Sequence, residues 1–420
     1  MDFARSADPA VQRQLERLAR LSPGRDILGL ERITALLARL GNPERRLPPV
    51  FHVAGTNGKG STCAFLRAAI EAAGLTAHVY TSPHLVRFNE RIRVAGALLE
   101  DAMLAALLEE VLDRAEDLNA SFFEVTTAAA FLVFSRTPAD ACIVEVGLGG
   151  RLDATNVVPA PACCGIAALG IDHQSFLGDT LAEIAGEKAG IARSGVPIVT
   201  LAYPDEAERS VDAAVVRAGA RRLKRGEAWF LEGRLYRDGY GELVLPPLQL
   251  AGAHQLENAA LAVAMLRHQQ AIRFPDVVML AGIEGARWPA RLQQLGAGPL
   301  VGSREAWLDG GHNVSAAEAL AAALAGRKLH LVIGMLANKD VSSFLRLLAP
   351  VVRSVTAVPI DGHDHHAPDD IAALARGLSL GASTAPDVPA ALAGLESPIL
   401  IAGSLYLAGQ ILELNGELPQ

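Results

Sequence analysis

The sequence predicts an α/β fold of two tandem doubly wound parallel sheets, the first also carrying a small antiparallel subsheet. Three observations predict it. Apolar runs of strand length alternate with segments of helix length along most of the chain. The 420 residues exceed one ordinary domain. The alternation also pauses and restarts once, where Gly296, Gly298 and Pro299 cluster. That pause divides a first domain, residues 1–295, from a second, residues 296–420.

Each element has its own signal. Residues 10–40 alternate apolar and charged positions at helical spacing, broken at Ser22-Pro23-Gly24. Residues 50–54 form an apolar run that ends in glycines. Residues 61–73 read as a helix that Gly74 stops, and residues 77–80 as the next strand. Strand, glycine turn, helix and strand make a βαβ unit of a parallel sheet. Residues 141–146, 163–169 and 196–201 are further buried-strand candidates. Residues 222–250 differ, with short alternating runs punctuated by Gly233, Gly239, Gly241 and Pro246-Pro247, and read as a hairpin set. A helix over 256–269 follows. In the second domain, strands are expected at 306–309, 329–333, 351–358 and 398–402, with a helix at 316–325. No internal repeat is evident.

Half the residues are apolar and a fifth are charged, enough for a sizeable core. The net charge of -8 gives no general attraction to nucleic acid or anionic membranes. Cys63, Cys142, Cys163 and Cys164 form no C-x-x-C pair and read as buried free thiols in a reducing compartment. The first twenty residues have no apolar signal core, and no run of ~18 apolar residues occurs. A cytoplasmic protein is expected.

The strongest local signal is Gly55-Thr56-Asn57-Gly58-Lys59-Gly60-Ser61-Thr62, between a strand and a helix. Glycines let backbone N–H groups turn inward around phosphate oxygens, and a helix N-terminus adds partial positive charge. Lys59 can reach the β- and γ-phosphates. The loop departs from G-x-x-x-x-G-K-[ST]: Val53 replaces the first glycine and Gly60 separates Lys59 from Ser61. It points to a nucleoside triphosphate and leaves kinase, ATPase and ligase open.

Doubly wound sheets place their sites at the carboxyl ends of strands. Ser82, Glu145 and His173 lie at such ends, and hydroxyl, carboxylate and imidazole can supply part of a Mg2+ shell. Taken alone, each has an ordinary reading: strand-end ion pair for Glu145, loop histidine for His173. Lys188 lies in a helical segment, where a lysine is ordinarily a solvated charge. His363-Asp364-His365-His366 matches no zinc spacing and reads as a polar surface loop. Asn313-Val314-Ser315 fits a glycosylation triplet, which a cytoplasmic protein would not use.

The phosphate loop together with Thr81-Ser82-Pro83-His84-Leu85 resembles folylpolyglutamate synthase, including the bifunctional bacterial dihydrofolate synthases, a branch of the Mur ligase superfamily. Further matches are Leu28-Gly29-Leu30-Glu31-Arg32, Phe122-Phe123-Glu124, the run 145–156, Asp172-His173, the run 186–191 and Asp309-Gly310-Gly311-His312-Asn313. The resemblance covers roughly residues 26–410. It implies a phosphate-loop ATPase domain followed by a Rossmann-like glutamate-ligase domain. It implies that Gly58, Lys59, Gly60 and Ser61 cradle ATP phosphates, with Asn258, Arg291 and Asp309 also on the nucleotide. Ser82 and Glu145 would hold one Mg2+, and Glu145 and His173 a second. Lys188 would carry a carbamate formed from CO2. A pterin-bearing substrate would lie against Ile27, Leu28 and Gly29, against Ser121, Phe122, Phe123 and Glu124, and against Leu152, Asp153 and Ala154. Two positions depart from the family pattern: Ile27 stands where a polar residue is frequent, and Val314 where a proline is usual.

On that basis Lys59, Glu145, His173 and Lys188 are the catalytic candidates. ATP would convert an acceptor carboxylate into an acyl phosphate that the glutamate amine then attacks. Water would destroy that intermediate, so closure of the second domain over the first is expected. The partners implied are small molecules: ATP, L-glutamate and dihydropteroate or tetrahydrofolate, bound by a monomer. Rivals are folylpolyglutamate synthase activity alone, a peptidoglycan amino-acid ligase and a nucleotide-binding regulator without turnover. The phosphate loop begins only at residue 55, leaving no room for a separate uridine-nucleotide domain ahead of it.

Overall fold

The computed structural model describes residues 5–21, 28–273 and 275–419. The chain forms two compact units: Met1–Gln249 with Gln255–Arg287, and Leu250–His254 with Trp288–Gln420.

The first unit opens with helices α1 (Pro9–Leu21) and α2 (Glu31–Arg39). Then come β1 (Val50–Ala54), α3 (Lys59–Ala72), β2 (Ala77–Tyr80), β3 (Ile92–Val94) and β4 (Ala97–Leu98). Helices α4 (Asp101–Ala115) and α5 (Phe122–Arg136) precede β5 (Ala141–Glu145), β6 (Cys163–Ile166) and the short α6 (Gln174–Leu177). Next are α7 (Leu181–Ala189), β7 (Pro197–Thr200), α8 (Asp205–Ala218) and β8 (Arg221–Lys224). Strands β9 (Trp229–Glu232), β10 (Leu235–Asp238) and β11 (Gly241–Val244) precede α9 (Ala253–His268) and α10 (Asp276–Gly285).

Eight strands form the main sheet in the order β4-β3-β2-β5-β1-β6-β7-β8. Neighbours from β2 to β8 run parallel, while β3 and β4 close one edge antiparallel. Every residue of β1, β2, β5 and β6 is buried, which is why they read as continuous apolar runs rather than alternating ones. One core cluster is built from α1, α2, α4 and α5, another from α7 and α8. Position β1 is central: Val53 pairs with Glu145 on β5 and with Gly165 on β6.

In the second unit, β12 (Gln293–Gln294), β13 (Ala306–Leu308), α11 (Val314–Ala323), β14 (Leu329–Ile333), α12 (Val341–Leu348) and β15 (Val352–Ala357) are followed by α13 (Pro368–Gly377), β16 (Gly381–Thr384), α14 (Val388–Leu392), β17 (Ile399–Ala402) and α15 (Leu405–Asn415). The sheet order is β12-β13-β17-β14-β15-β16, parallel except for β12.

The fold class is the expected one, with two local corrections. Residues 221–224 do not belong to the hairpin set; they form β8, parallel to β7 at the edge of the main sheet. The run Arg222-Leu223-Lys224 read as part of the hairpin set because an edge strand can keep its charges, and Arg222 is paired with Glu208 at 2.7 Å. Only β9–β11 form the antiparallel subsheet. Strand β16 went unread because Gly381-Ala382-Ser383-Thr384 is an exposed edge with no apolar run. Among the described residues, no helix is long and apolar enough to cross a membrane.

Candidate active site

The site grows from the carboxyl end of β1. Thr56 N–H donates to the Ala168 carbonyl (2.8 Å), and the Thr56 hydroxyl donates to the Gly170 carbonyl (2.9 Å). These bonds hold the loop to the segment after β6. Gly58, at φ +84°, caps α3, and a Cβ there would stand 2.3 Å from Asn258 Oδ1. Only glycine meets both conditions. Ser61, in the first turn of α3, is 1 % exposed, and its hydroxyl has no hydrogen-bond partner. A buried hydroxyl left unmatched at a helix N-terminus suits a phosphate oxygen or a cation. Lys59 folds back, its Nζ donating to the carbonyls of Gly55 (3.1 Å) and Thr56 (3.3 Å).

Lys188, from α7, donates to the same Gly55 carbonyl at 3.0 Å. It is 4 % exposed, so the solvated helix lysine that its position suggested is not what the fold makes. Burial and, next, the Lys59 charge lower its pKa from 10.5 to about 7, against the pull of Asp172 and Asp153. Near neutrality a substantial fraction is therefore free amine.

Glu145, the last residue of β5, is buried beside the loop and accepts the Ser82 N–H at 3.3 Å. The buried Cys63 thiol is pushed up by burial and by the Glu145 charge, with Lys59 opposing, so α3, β5 and the phosphate loop share one electrostatic neighbourhood. His173 is exposed, in the left-handed region at φ 55°, at the start of α6. Its N–H donates to the Asp172 carboxylate (2.8 Å).

The pterin candidates surround the next strand ends. Ser121 caps α5: its hydroxyl accepts from Glu124 N–H (3.2 Å), and the Glu124 carboxylate accepts from Ser121 N–H (2.7 Å). Arg32, whose role the sequence left unassigned, binds the same Glu124 oxygen at 3.0 Å, while the other oxygen, Oε1, is buried without a partner. Phe123 covers Gly147 so closely that a Cβ there would lie 2.4 Å from the ring. Phe122 stacks under the Arg91 guanidinium, 5.3 Å from its centroid. Asp153 is 2 % exposed; its carboxylate accepts from Leu148 N–H (2.8 Å) and Thr155 N–H (3.0 Å), organising the loop 147–155. Leu28, Gly29 and Leu152 are half-buried and Ala154 is buried, while Ile27 lies outside the described residues.

Of the remaining nucleotide candidates, Asn258 sits in the first unit, its amide donating to Gln255 Oε1 (3.0 Å). In the second unit, buried Asp309 accepts from Leu292 N–H (2.7 Å) and Gly311 N–H (2.6 Å). Burial raises the Asp309 pKa, opposed first by Arg291. The Arg291 guanidinium donates to the Ala290 carbonyl (2.9 Å). In the loop after β15, His366 Nε2 donates to the Lys339 carbonyl (2.8 Å) and His363 stacks on Tyr406 at 3.8 Å. Those contacts brace the loop. Among the described residues, no group of three or more His, Cys, Asp or Glu side chains is placed to hold a metal ion.

Residues 290–405 match the Mur ligase, glutamate ligase domain. The dihydrofolate synthase/folylpolyglutamate synthase of Bacillus subtilis is 37% identical over 79% of this chain and 81% of its own length. That of Escherichia coli is 35% identical over 92% of this chain and 91% of its own. The solved structure of E. coli FolC in complex with DHPP and ADP superposes with a TM-score of 0.85 at 33% identity, over 97% of this chain and 98% of that one. A bifunctional folylpolyglutamate synthase/dihydrofolate synthase with Mn, AMPPNP and L-glutamate bound superposes with a TM-score of 0.84 at 30% identity, over 98% and 99%. This chain belongs to the dihydrofolate synthase/folylpolyglutamate synthase family of Mur-type ligases.

Proposed function

We propose that the enzyme uses ATP to add L-glutamate to dihydropteroate, giving dihydrofolate, and to the glutamate tail of tetrahydrofolate. One observation carries the reading: two lysines from distant elements converge on the Gly55 carbonyl, and Ser61, in the first turn of the helix after that loop, keeps a buried hydroxyl with no hydrogen-bond partner. That arrangement brings the Lys59 charge and an unmatched buried hydroxyl to the loop where a polyphosphate would lie.

The acceptor carboxylate attacks the γ-phosphorus and the bond to ADP breaks. The glutamate amine then attacks the acyl carbon, phosphate departs and the nitrogen loses a proton. The phosphate-loop amides, Gly58, Gly60 and Ser61 orient the γ-phosphate, and Lys59 leaves its carbonyl partners to neutralise it. Ser82 and Glu145 hold one divalent cation, and Glu145 and His173 a second. The residues fit such an ion, because carboxylate and hydroxyl oxygens suit a hard cation and the Ser82 N–H, 3.3 Å from the Glu145 carboxylate, brings that pair together. A bound cation would offset charge on the phosphates during transfer. The Lys188 amine adds to CO2, forming an N–C bond and releasing a proton, and the resulting carbamate replaces a strained cation with an anion. Asn258 contacts the nucleotide from the first unit; Arg291 and Asp309 are the candidates in the second. The pterin lies against Ile27 to Gly29, Ser121 to Glu124, and Leu152 to Ala154.

The test measures phosphate release and product mass with ATP, glutamate and one acceptor at a time: dihydropteroate, tetrahydrofolate or a muramyl peptide. Glutamylation of both pteroates and not of the muramyl acceptor is expected, with Lys59→Ala and Glu145→Ala at least ~100-fold slower. Turnover on tetrahydrofolate alone would restrict the enzyme to tail extension. Parent rates in both variants would remove the mechanism.

A further inference from the structure

Strand β1 is apolar except at its middle residue, His52, which is 1 % exposed. A polar ring fully inside a parallel sheet must have a partner or carry a desolvation cost. Its Nε2 lies 2.9 Å from the Thr155 hydroxyl. Thr155, itself fully buried, lies with its hydroxyl 2.5 Å from Asp153 Oδ1. The same Asp153 carboxylate accepts the Leu148 and Thr155 N–H groups. Three side chains thus join the strand that launches the phosphate loop to the loop that follows β5.

The hydrogens in this chain can be assigned. A hydroxyl has one proton. Both Asp153 oxygens already accept backbone N–H groups, so the Thr155 proton goes to Asp153. The Thr155 oxygen must then accept from His52, which fixes the ring as the Nε2–H tautomer. Burial, reinforced by the Arg193 charge, lowers the His52 pKa to about 3, in keeping with a neutral ring.

We infer that His52 is a positioning residue for the acceptor, a neutral donor that orients Thr155 and, through it, the Asp153 carboxylate and the loop 147–155. The inference rests on the reading that this loop lines the acceptor site. His52 acts through Thr155 and Asp153 rather than on the nucleotide.

Steady-state kinetics of the full-length enzyme test it, with KM for dihydropteroate and for ATP measured separately. His52→Leu and Thr155→Val are expected to raise the dihydropteroate KM about tenfold while the ATP KM stays within about twofold. His52→Gln, which keeps a donor near the Nε2 position, and Thr155→Ser should restore the parent value to within about threefold. The double variant should be no worse than either single one, because both break the same chain. Circular dichroism checks folding; if His52→Leu does not fold, the Thr155 pair decides. Nitrogen-15 spectra of the imidazole should show a neutral ring protonated at Nε2, and a proton on Nδ1 would overturn the assignment. Asp153→Asn separates the two levels. If it raises the acceptor KM while His52→Leu and Thr155→Val do not, the inference fails and the acceptor reading stands. If Asp153→Asn leaves the acceptor KM unchanged, the acceptor reading fails and the inference falls with it.

Discussion

Lys188 and Lys59 donate to one carbonyl, and that crowding has a measurable thermodynamic sign. The folded pKa of Lys188 is about 7, below the ordinary 10.5. Between those values the unfolded chain binds more protons than the folded one, so the folded state gains stability as pH rises through that window. Below pH 7 the full cost of the buried charge is carried. Lys188→Met keeps the volume and removes the charge. In Mg-free, CO2-free buffer at pH 7 it should melt about 3 °C above the parent, with the gap closing toward pH 10. It should also lose activity. A variant that melts lower at pH 7 would show that the Gly55 hydrogen bond outweighs the desolvation cost. Nothing in the local sequence foretold this burial, because the partner carbonyl lies 133 residues away. The family likeness pointed to Lys188; its spacing on a helix pointed to solvent.

At the scale of elements, the phosphate loop was legible because every part of its signal is local: apolar strand, glycines, lysine, helix. Strand β8 was not, since an edge strand shows its charges and its pairing to β7 depends on chain brought from elsewhere. The loop after β5 lies between these cases. Its glycines were visible, yet the reason for Gly147 is the Phe123 ring on α5. Gly147→Ala must displace that ring, which is rigid and packed near Tyr80. The dihydropteroate KM should rise about tenfold, and the ATP KM should hold within about twofold, since the change stays at the acceptor candidates. An equal rise in both constants would mean that the displacement reaches the phosphate loop.

Over the whole molecule, each unit has apolar cores of its own, so cooperativity need not extend across the chain. The tryptophans provide separate reporters: buried Trp229 in the first unit, Trp288 and Trp307 in the second. Trp288→Phe/Trp307→Phe leaves the first reporter, and Trp229→Phe the other two. Without nucleotide, the two variants should show different denaturation midpoints. Mg-nucleotide at about 100 times its Kd should stabilise the Trp229-reported transition by about 2.7 kcal/mol. Coincident midpoints in both variants would show one cooperative block. The pause in the α/β rhythm was read at residues 295–296, whereas the units part at Arg287–Trp288. The pentapeptide Leu250–His254 was not legible, because it lies inside first-unit sequence yet groups with the second unit, where Ala251 packs on the core. The backbone therefore passes from one unit to the other three times. A single scissor cut at Arg287 would strand five residues of the second unit on the wrong piece, so recombining this enzyme with a relative calls for two crossover points upstream of that cut, or for a partner whose own pentapeptide fits.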